Sequence, residues 1–427
     1  MSRDETAVTV FGTLADGVVG SADGTGRLRL ETAGIDIEWW VGADDGWKIP
    51  ARDGVDTERP GCAPAIGAHV RVPGGEIVMR AYGVAAAGTP LIVADVENAS
   101  PAAAVVAWIV RAAPGYRIGG VSIDGSTLLI DERARVELPR VPTHWAVATR
   151  AVGVHDAVVD GRASSGGFEP VVTRRGDLEI ALLFPVAHRT RTRIAAGAAT
   201  SATASVVVAR LPALADVERG WVTALERGTQ VELPDAALQA SVDAARAAVL
   251  LGVVGGSDRL VRHSAAAWGL AEVRSRRAPA DDVDDPWLHV KATLAGAAAT
   301  PRRAAEWLRA VRAVLVAVTG DRVAVLPDFP MEWLGQSVTV NNVPTRHGPV
   351  SFALRWHGTR PALLWDVPAT LRVRAPMLDP AWEAIGNAGE ALLAEIDPTR
   401  LLPLGDQSKP DPGSRPGVIV DEPGSFV

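Results

Sequence analysis

Within ten residues, Glu38-Trp39-Trp40-Val41-Gly42-Ala43-Asp44-Asp45-Gly46-Trp47 gathers three tryptophans and three carboxylates. A sugar presents apolar C–H faces that pack on an indole and hydroxyls that bond to carboxylates. The combination could therefore form a carbohydrate platform built from Trp39, Trp40, Asp44, Asp45 and Trp47. A plainer arrangement uses the same residues. It is a strand ending in an Asp-Asp-Gly turn, with Trp39 and Trp40 pointing to opposite faces. Both arrangements stay open here.

A second cluster is Asp281-Asp282-Val283-Asp284-Asp285-Pro286-Trp287. Four carboxylates could hold calcium or supply an acid and a base across a glycosidic bond. The spacing is not that of an EF-hand loop. The run also reads as a solvated linker whose Asp285 caps a helix starting at Pro286. Third is Glu332-Trp333, where Trp333 suits a packing anchor better than a ligand platform. Histidines 69, 144, 155, 188, 263, 289, 347 and 357 are scattered, without a His-x-x-His or His-Glu-x-x-His pair. That pattern disfavours a zinc hydrolase. Phosphate-binding glycine loops and Gly-x-Ser-x-Gly are absent as well, so no catalytic residue, metal site or cofactor is assigned.

Those residues have to be held by elements, and composition bounds what kind. The chain has 427 residues, 48% apolar and 22% charged, with a net charge of -7 from interspersed signs. Such a chain folds into two or three globular domains, and no basic face invites nucleic acid. The lone Cys62 excludes an intramolecular disulfide and a multi-Cys zinc site. The opening MSRDETAVTV is charged and lacks an apolar core, so no secretory leader is expected. No run of eighteen apolar residues occurs, so no membrane span is expected either, and the expected location is cytoplasmic. Thirteen Trp stand against six Phe and two Tyr. In a chain rich in Ala and Val, core filling accounts for most of that bulk.

From about residue 7 to 210, short apolar alternations such as Ile35-Ile37-Trp39, Val105-Ala107-Ile109 and Ile180-Leu182 are punctuated by Gly, Asp and Pro. About a dozen short strands in a large antiparallel sandwich are expected. Helical spacing begins after Asp235, with Leu238, Val242, Ala245 and Val249 on one stripe up to Gly252. Further helices are expected over 264–273 and 287–299. A fourth is capped by Thr300, carries Pro301 in its first turn, and has a stripe from Trp307 to Val318. Strands resume at Val323, a short helix over 380–395 closes the fold, and the Pro-, Gly- and Asp-rich residues after about 403 are expected to be disordered.

The segment 325–367 adds a resemblance. Leu326, Pro327, Pro330, Trp333, Gly335, Val338, Gly348, Trp356 and Gly358 mark a proline-stiffened lead-in, a turn and then alternating strands. They resemble the C-terminal β domain that follows the (α/α)6 barrel in six-hairpin bacterial glycosidases. The N-terminal strands resemble the supersandwich preceding that barrel. A complete barrel has twelve helices, about 200 residues even in compact form. Only 235–320 is available here, room for four or five helices and no closed barrel. The resemblance therefore implies a degenerate member with the barrel largely missing. In that family the missing helices supply the acid and base, so no catalytic residue transfers.

The expected fold is α+β and mainly β. A β-supersandwich spans 1–230, a truncated helical region (a truncated α/α toroid) 231–322, a small C-terminal β unit 323–400, and a tail 401–427. Three functions compete. One is a glycosidase-like protein that binds carbohydrate or regulates without catalysis. Another is a compact hydrolase pairing Asp44 or Asp45 with a carboxylate of 281–285, retaining at about 5–5.5 Å between carboxyl groups and inverting at about 6.5–9.5 Å. The third is a structural or assembly protein whose tryptophans are all core. A glycan is the only partner the residues suggest.

Overall fold

The structure, a computed structural model, describes residues 8–86, 88–199, 206–254, 256–272 and 283–396. The period-two alternation between residues 9 and 198 resolves into two nine-stranded antiparallel sheets. Across the first run Thr9–Thr13, Gly17–Ala22, Leu28–Leu30, Ile35–Ala43, Ala104–Ala112, Leu178–Val186, His144–Thr149 and Ser164–Ser165, with Gly46–Lys48 folded back onto Ile35–Ala43. The second runs Val171–Val172, Gly120–Asp124, Thr127–Ile130, Ala134–Glu137, Arg191–Ala198, Thr89–Asn98, Gly75–Ala86, Ala65–Val72 and Asp56–Glu58. Their facing sides share one core, in which Phe11, Trp39 and Trp108 of the first sheet meet Ile77, Met79 and Ile194 of the second. Alternation puts every second residue inward, so this is the arrangement the pattern predicts.

The outer faces are covered unevenly. Over the first sheet lie two short helices, α1 (Pro50–Asp53) and α2 (His155–Val159), whose Pro50 and Val158 are buried. With Ile49 and Val154 they close over Trp40, Ile109 and Leu183. Over the second sheet, Val208 and Leu211 pack on Tyr82, Leu91 and Val93. The chain then enters α3 (Leu214–Leu225), a helix the alternation had hidden.

The helical part contains α4 (Ala236–Val253), α5 (Arg259–Ala267), α6 (Pro286–Thr293) and α7 (Pro301–Leu315). Among the described residues no ring of helices closes. Asp235, Asp258, Asp285 and Thr300 each accept a backbone N–H in the first turn of the helix that follows. By length and composition α4 is apolar enough to cross a membrane. Eight of its residues, including Val242, Arg246 and Val249, are nonetheless buried inside the protein, as in a core helix. Its C-terminal end meets the sandwich at Gly17. A Cβ there would lie 2.7 Å from the Val254 carbonyl, and the backbone has φ +75°, so glycine answers both demands.

Two smaller sheets finish the fold. Gln230–Glu232, Val338–Thr345, Gly348–His357, Arg360–Asp366 and Ala388–Leu392 form one; Val316–Thr319, Arg322–Val325, Arg372–Ala375 and Asp379–Ile385 form the other. Arg322–Val325 and Arg372–Ala375 pair in parallel, but between them in the chain lie a 3-10 turn at Met331–Trp333 and three strands, with no α-helix, so no βαβ unit arises. The helices and both sheets share one core. The fold is α+β and mainly β.

Several local expectations need correction. The helix expected over 380–395 is two strands joined by Gly386-Asn387, with Gly386 at φ +135°. Only Gly adopts that backbone easily, and there the chain passes from one small sheet to the other where Ala and Glu favoured a helix. The helix expected over 264–273 begins earlier, because Asp258 caps at Leu260, and ends at Ala267; Val273 lies outside the described residues. The stripe expected to reach Val318 stops at Leu315, since Val316–Thr319 pairs with Arg322–Val325. The strand alternation expected to run to about residue 210 gives way at its end to a 3-10 turn, Val208–Arg210. The tail 401–427, with Asp281 and Asp282, lies outside the described residues.

Candidate functional site

The five platform candidates separate in space. Trp39 points into the sandwich core at 1% exposure, and its indole N–H donates to the Thr25 carbonyl at 3.2 Å. Trp40 points the other way yet is only 3% exposed, beneath the layer closed by α1 and α2. Burying an indole of roughly 150–250 Å² is worth about 4–6 kcal/mol at ~25 cal/mol/Å², whereas an aromatic contact returns about 0.5–1.5 kcal/mol. Neither ring can swing out to hold a sugar at a profit. Trp47 is half-buried, its ring lying across Gly42 on the paired strand, where an added Cβ would meet it at 3.2 Å. Asp44 and Asp45 are exposed at the hairpin tip. Asp45 pairs with Lys48 at 2.7 Å, and Gly46 supplies the turn at φ +110°. Of the expected platform, one edge of Trp47 beside two turn carboxylates remains accessible.

Asp285 and Glu332 are engaged elsewhere. Asp285 is the cap of α6, accepting from the Leu288 N–H at 3.3 Å, and α6 packs on α7. Glu332 accepts from the Trp287 indole at 3.2 Å and from Lys291 at 2.8 Å. Lys291, then partial burial in opposition, sets its carboxyl below the usual range. Trp333 is buried, edge-on to Trp287 at 5.4 Å, and serves as a packing anchor.

A larger site lies on the outer face of the first sheet, away from α1 and α2. On Ile35–Ala43, the residues facing outward are Asp36, Glu38 and Trp40; on Ala104–Ala112 they are Ala107, Ile109 and Arg111; on Leu178–Val186 they are Glu179, Ala181 and Leu183. One end of this face is apolar and covered. The other is charged and open. Register sets Arg29 beside Asp36 and Asp36 beside Arg111, with Glu179 one step beyond the Val110–Ile180 pair. A row of alternating charge therefore crosses four strands.

Those charges neutralise one another. Arg29 grips Asp36 with two parallel bonds of 2.9 and 2.8 Å, and that contact holds its guanidinium above its ordinary value. Arg111 lies between Glu38 at 2.5 Å and Glu179 at 3.2 Å, over the Trp40 ring at 5.9 Å. Burial alone would lower the Arg111 guanidinium, but Glu38 and then Glu179 outweigh it and raise it.

Around this floor stand Arg27, Tyr116, Arg117, Arg150, Arg175 and Asp177, enclosing a depression of about 790 Å³. Tyr116 is 48% exposed, one side of its ring against Gly34 and Arg133. The rim is tied by backbone: the Arg150 N–H donates to the Asp177 carbonyl at 2.6 Å, and Arg117 donates to the Arg175 carbonyl at 3.0 Å. Among the described residues, the guanidinium groups of Arg150 and Arg175 have no ion pair, and Asp177 Oδ1 is buried without a hydrogen-bond partner. Fixed donors, fixed acceptors and an exposed ring suit a polar ligand of sugar size. Sequence reasoning passed over this site, although charges in phase within IDIE, IVRA and LEIA strands were its signal.

No protein-family model matches the chain, and no curated protein matches it. Among solved structures, the chain is similar to a bacterial glucoamylase complexed with acarbose, with a TM-score of 0.42 and 6% identity. The alignment covers 58% of this chain and 41% of that one.

Proposed function

We propose that this chain is a glycosidase-like protein that binds carbohydrate without cleaving it. The lead-in at Leu326, Pro327, Pro330 and Trp333, followed by its β unit, supports the glycosidase-like frame, as does the sandwich. One observation carries the non-catalytic reading. Asp36, Glu38 and Glu179 in the depression are each held by an arginine, and Asp177 alone is left without such a partner. Hydrolysis of a glycosidic bond ordinarily uses two carboxyl groups, one to protonate the leaving oxygen and one to attack or activate water. A single unpaired carboxylate cannot fill both roles. Binding asks for less: arginine N–H donors, carboxylate acceptors and the flat face of Tyr116 against a sugar ring.

The test is calorimetric titration of an oligosaccharide panel, neutral and acidic, alongside an assay for released reducing ends. Binding without release is expected, weakened about tenfold in Tyr116→Ala, the scale of one lost aromatic contact. Lack of binding across the whole panel overturns the reading. So does sugar release that disappears in Asp177→Asn, which would make the protein a hydrolase.

A further inference from the structure

We infer that the depression on the first sheet selects an acidic carbohydrate, a uronic-acid-bearing oligosaccharide. This rests on the carbohydrate reading above and names the substrate class of the same site. Six arginines line the depression against four carboxylates, and with Arg27 paired to Asp23 at 2.7 Å positive charge still prevails there, in a chain whose net charge is -7. The surplus is not on the floor, where Arg29 and Arg111 are consumed by Asp36, Glu38 and Glu179. It stands at the rim, in the exposed Arg150 and Arg175. Their guanidinium groups are forks without a carboxylate to hold, and a planar carboxylate is the group that accepts two parallel N–H bonds from such a fork.

The floor argues for a sugar rather than a bare anion. Its carboxylates are acceptors for the several hydroxyl donors spread round a sugar ring, more than a compact phosphate offers. Tyr116 on the rim adds a flat apolar face. The volume of about 790 Å³ lies within the range of roughly 300–1,000 Å³ usual for ligand sites. A uronate residue meets each feature: its carboxylate at Arg150 and Arg175, its hydroxyls on the floor, its C–H face on Tyr116.

The experiment compares a uronate oligosaccharide with its carboxyl-reduced, neutral counterpart and with inorganic phosphate, by calorimetry at low and high salt. The acidic ligand should bind about tenfold or more tightly than the neutral one, as loss of a charge-assisted pair implies. The advantage should shrink with salt. The double variant R150A/R175A should lose the preference while keeping its thermal midpoint, because neither side chain is part of the packed floor. Equal affinity for the neutral and acidic sugars overturns the acid selectivity and leaves carbohydrate binding standing. Phosphate displacing the uronate at equal concentration also overturns it, in favour of a simple anion site. Failure of every sugar to bind removes both readings.

Discussion

Tyr82 is fully buried on the outer face of the second sheet, and its hydroxyl does the fastening there. It lies 2.8 Å from Asp95 Oδ2 and 3.0 Å from the Pro212 carbonyl, both acceptors for its single proton. Arg193 donates to Asp95 at 2.8 Å and to the Leu211 carbonyl at 2.8 Å. Together they pin the segment leading into α3. Burial first, and then the Asp95 charge, push the phenol well above its ordinary 10.0. The unfolded chain releases this proton near pH 10 while the folded chain keeps it. Tyr82 therefore contributes stability that is present below about pH 10 and lost as the pH climbs toward the folded value. Tyr82→Phe should cost about 1–2 kcal/mol at pH 7 and unfold with a flatter pH dependence above 10. Urea titrations at pH 7 and 10.5 read both, and an unchanged slope would show that the phenol ionises freely. The neighbouring Trp39 and Trp40 show where sequence reading reaches its limit at this scale. Opposite faces follow from alternation alone. That both faces are covered does not, because Val154 and Val158 arrive from a distant segment. The charged row failed to stand out for the same reason: Arg29 and Asp36 face each other across one hairpin, but Arg111 and Glu179 join them only through pairing of strands far apart in sequence.

At the scale of elements, α7 was legible nearly in full. Thr300 accepts from the Arg303 N–H at 3.2 Å, Pro301 follows, and Trp307, Leu308, Val311, Val314 and Leu315 are all buried. Thr300→Ala should cost about 1 kcal/mol, with Thr300→Ser close to neutral. Chemical denaturation of the three proteins decides it, and equal loss in both variants would trace the effect to the methyl group instead of the cap. Strands at Val338–Thr345, Gly348–His357 and Arg360–Asp366 were equally plain, although a bulge between Val340 and Val343 breaks the alternation of the first. Two elements were hidden by their own composition. Helix α3 begins after Ala213, which has no side-chain oxygen to cap with, and Gly220 interrupts its run. Asp216 reaches back to the Ala213 N–H at 3.2 Å instead, a signal that sits inside the helix instead of ahead of it. Asp379–Ile385 and Ala388–Leu392 carry good helix formers but are held as strands by pairing with Arg372–Ala375 and Arg360–Asp366. Tertiary pairing outweighs propensity there.

Across the whole molecule, packing divides the chain differently from its pattern. One core lies between the two large sheets. A second runs without a break from Leu238 and Val249 of α4, through Trp307 and Leu308 of α7, to Val340, Phe352 and Leu363 of the C-terminal strands. The sandwich contributes little to it, with Val10 and Ala63 as the buried strand and loop residues that reach in. The helices thus have no core of their own and depend on the strands behind them. Four helices outside a closed ring would otherwise leave their apolar stripes in water. Leu308 is fully buried at the centre of this core, and Leu308→Ala should cost about 2–5 kcal/mol through lost burial and the cavity left behind. Because the core is shared, that loss should be felt as a unit. Hydrogen exchange should quicken together in Ala236–Val253, Pro301–Leu315, Val338–Thr345 and Gly348–His357. Protection of Ile35–Ala43 and Ala104–Ala112 should hold, since their side chains belong to the other core. Quickening confined to the helices would mean that the C-terminal strands stand alone. Quickening throughout the sandwich would mean that the contacts at Gly17, Val10 and Ala63 join both cores into one cooperative fold.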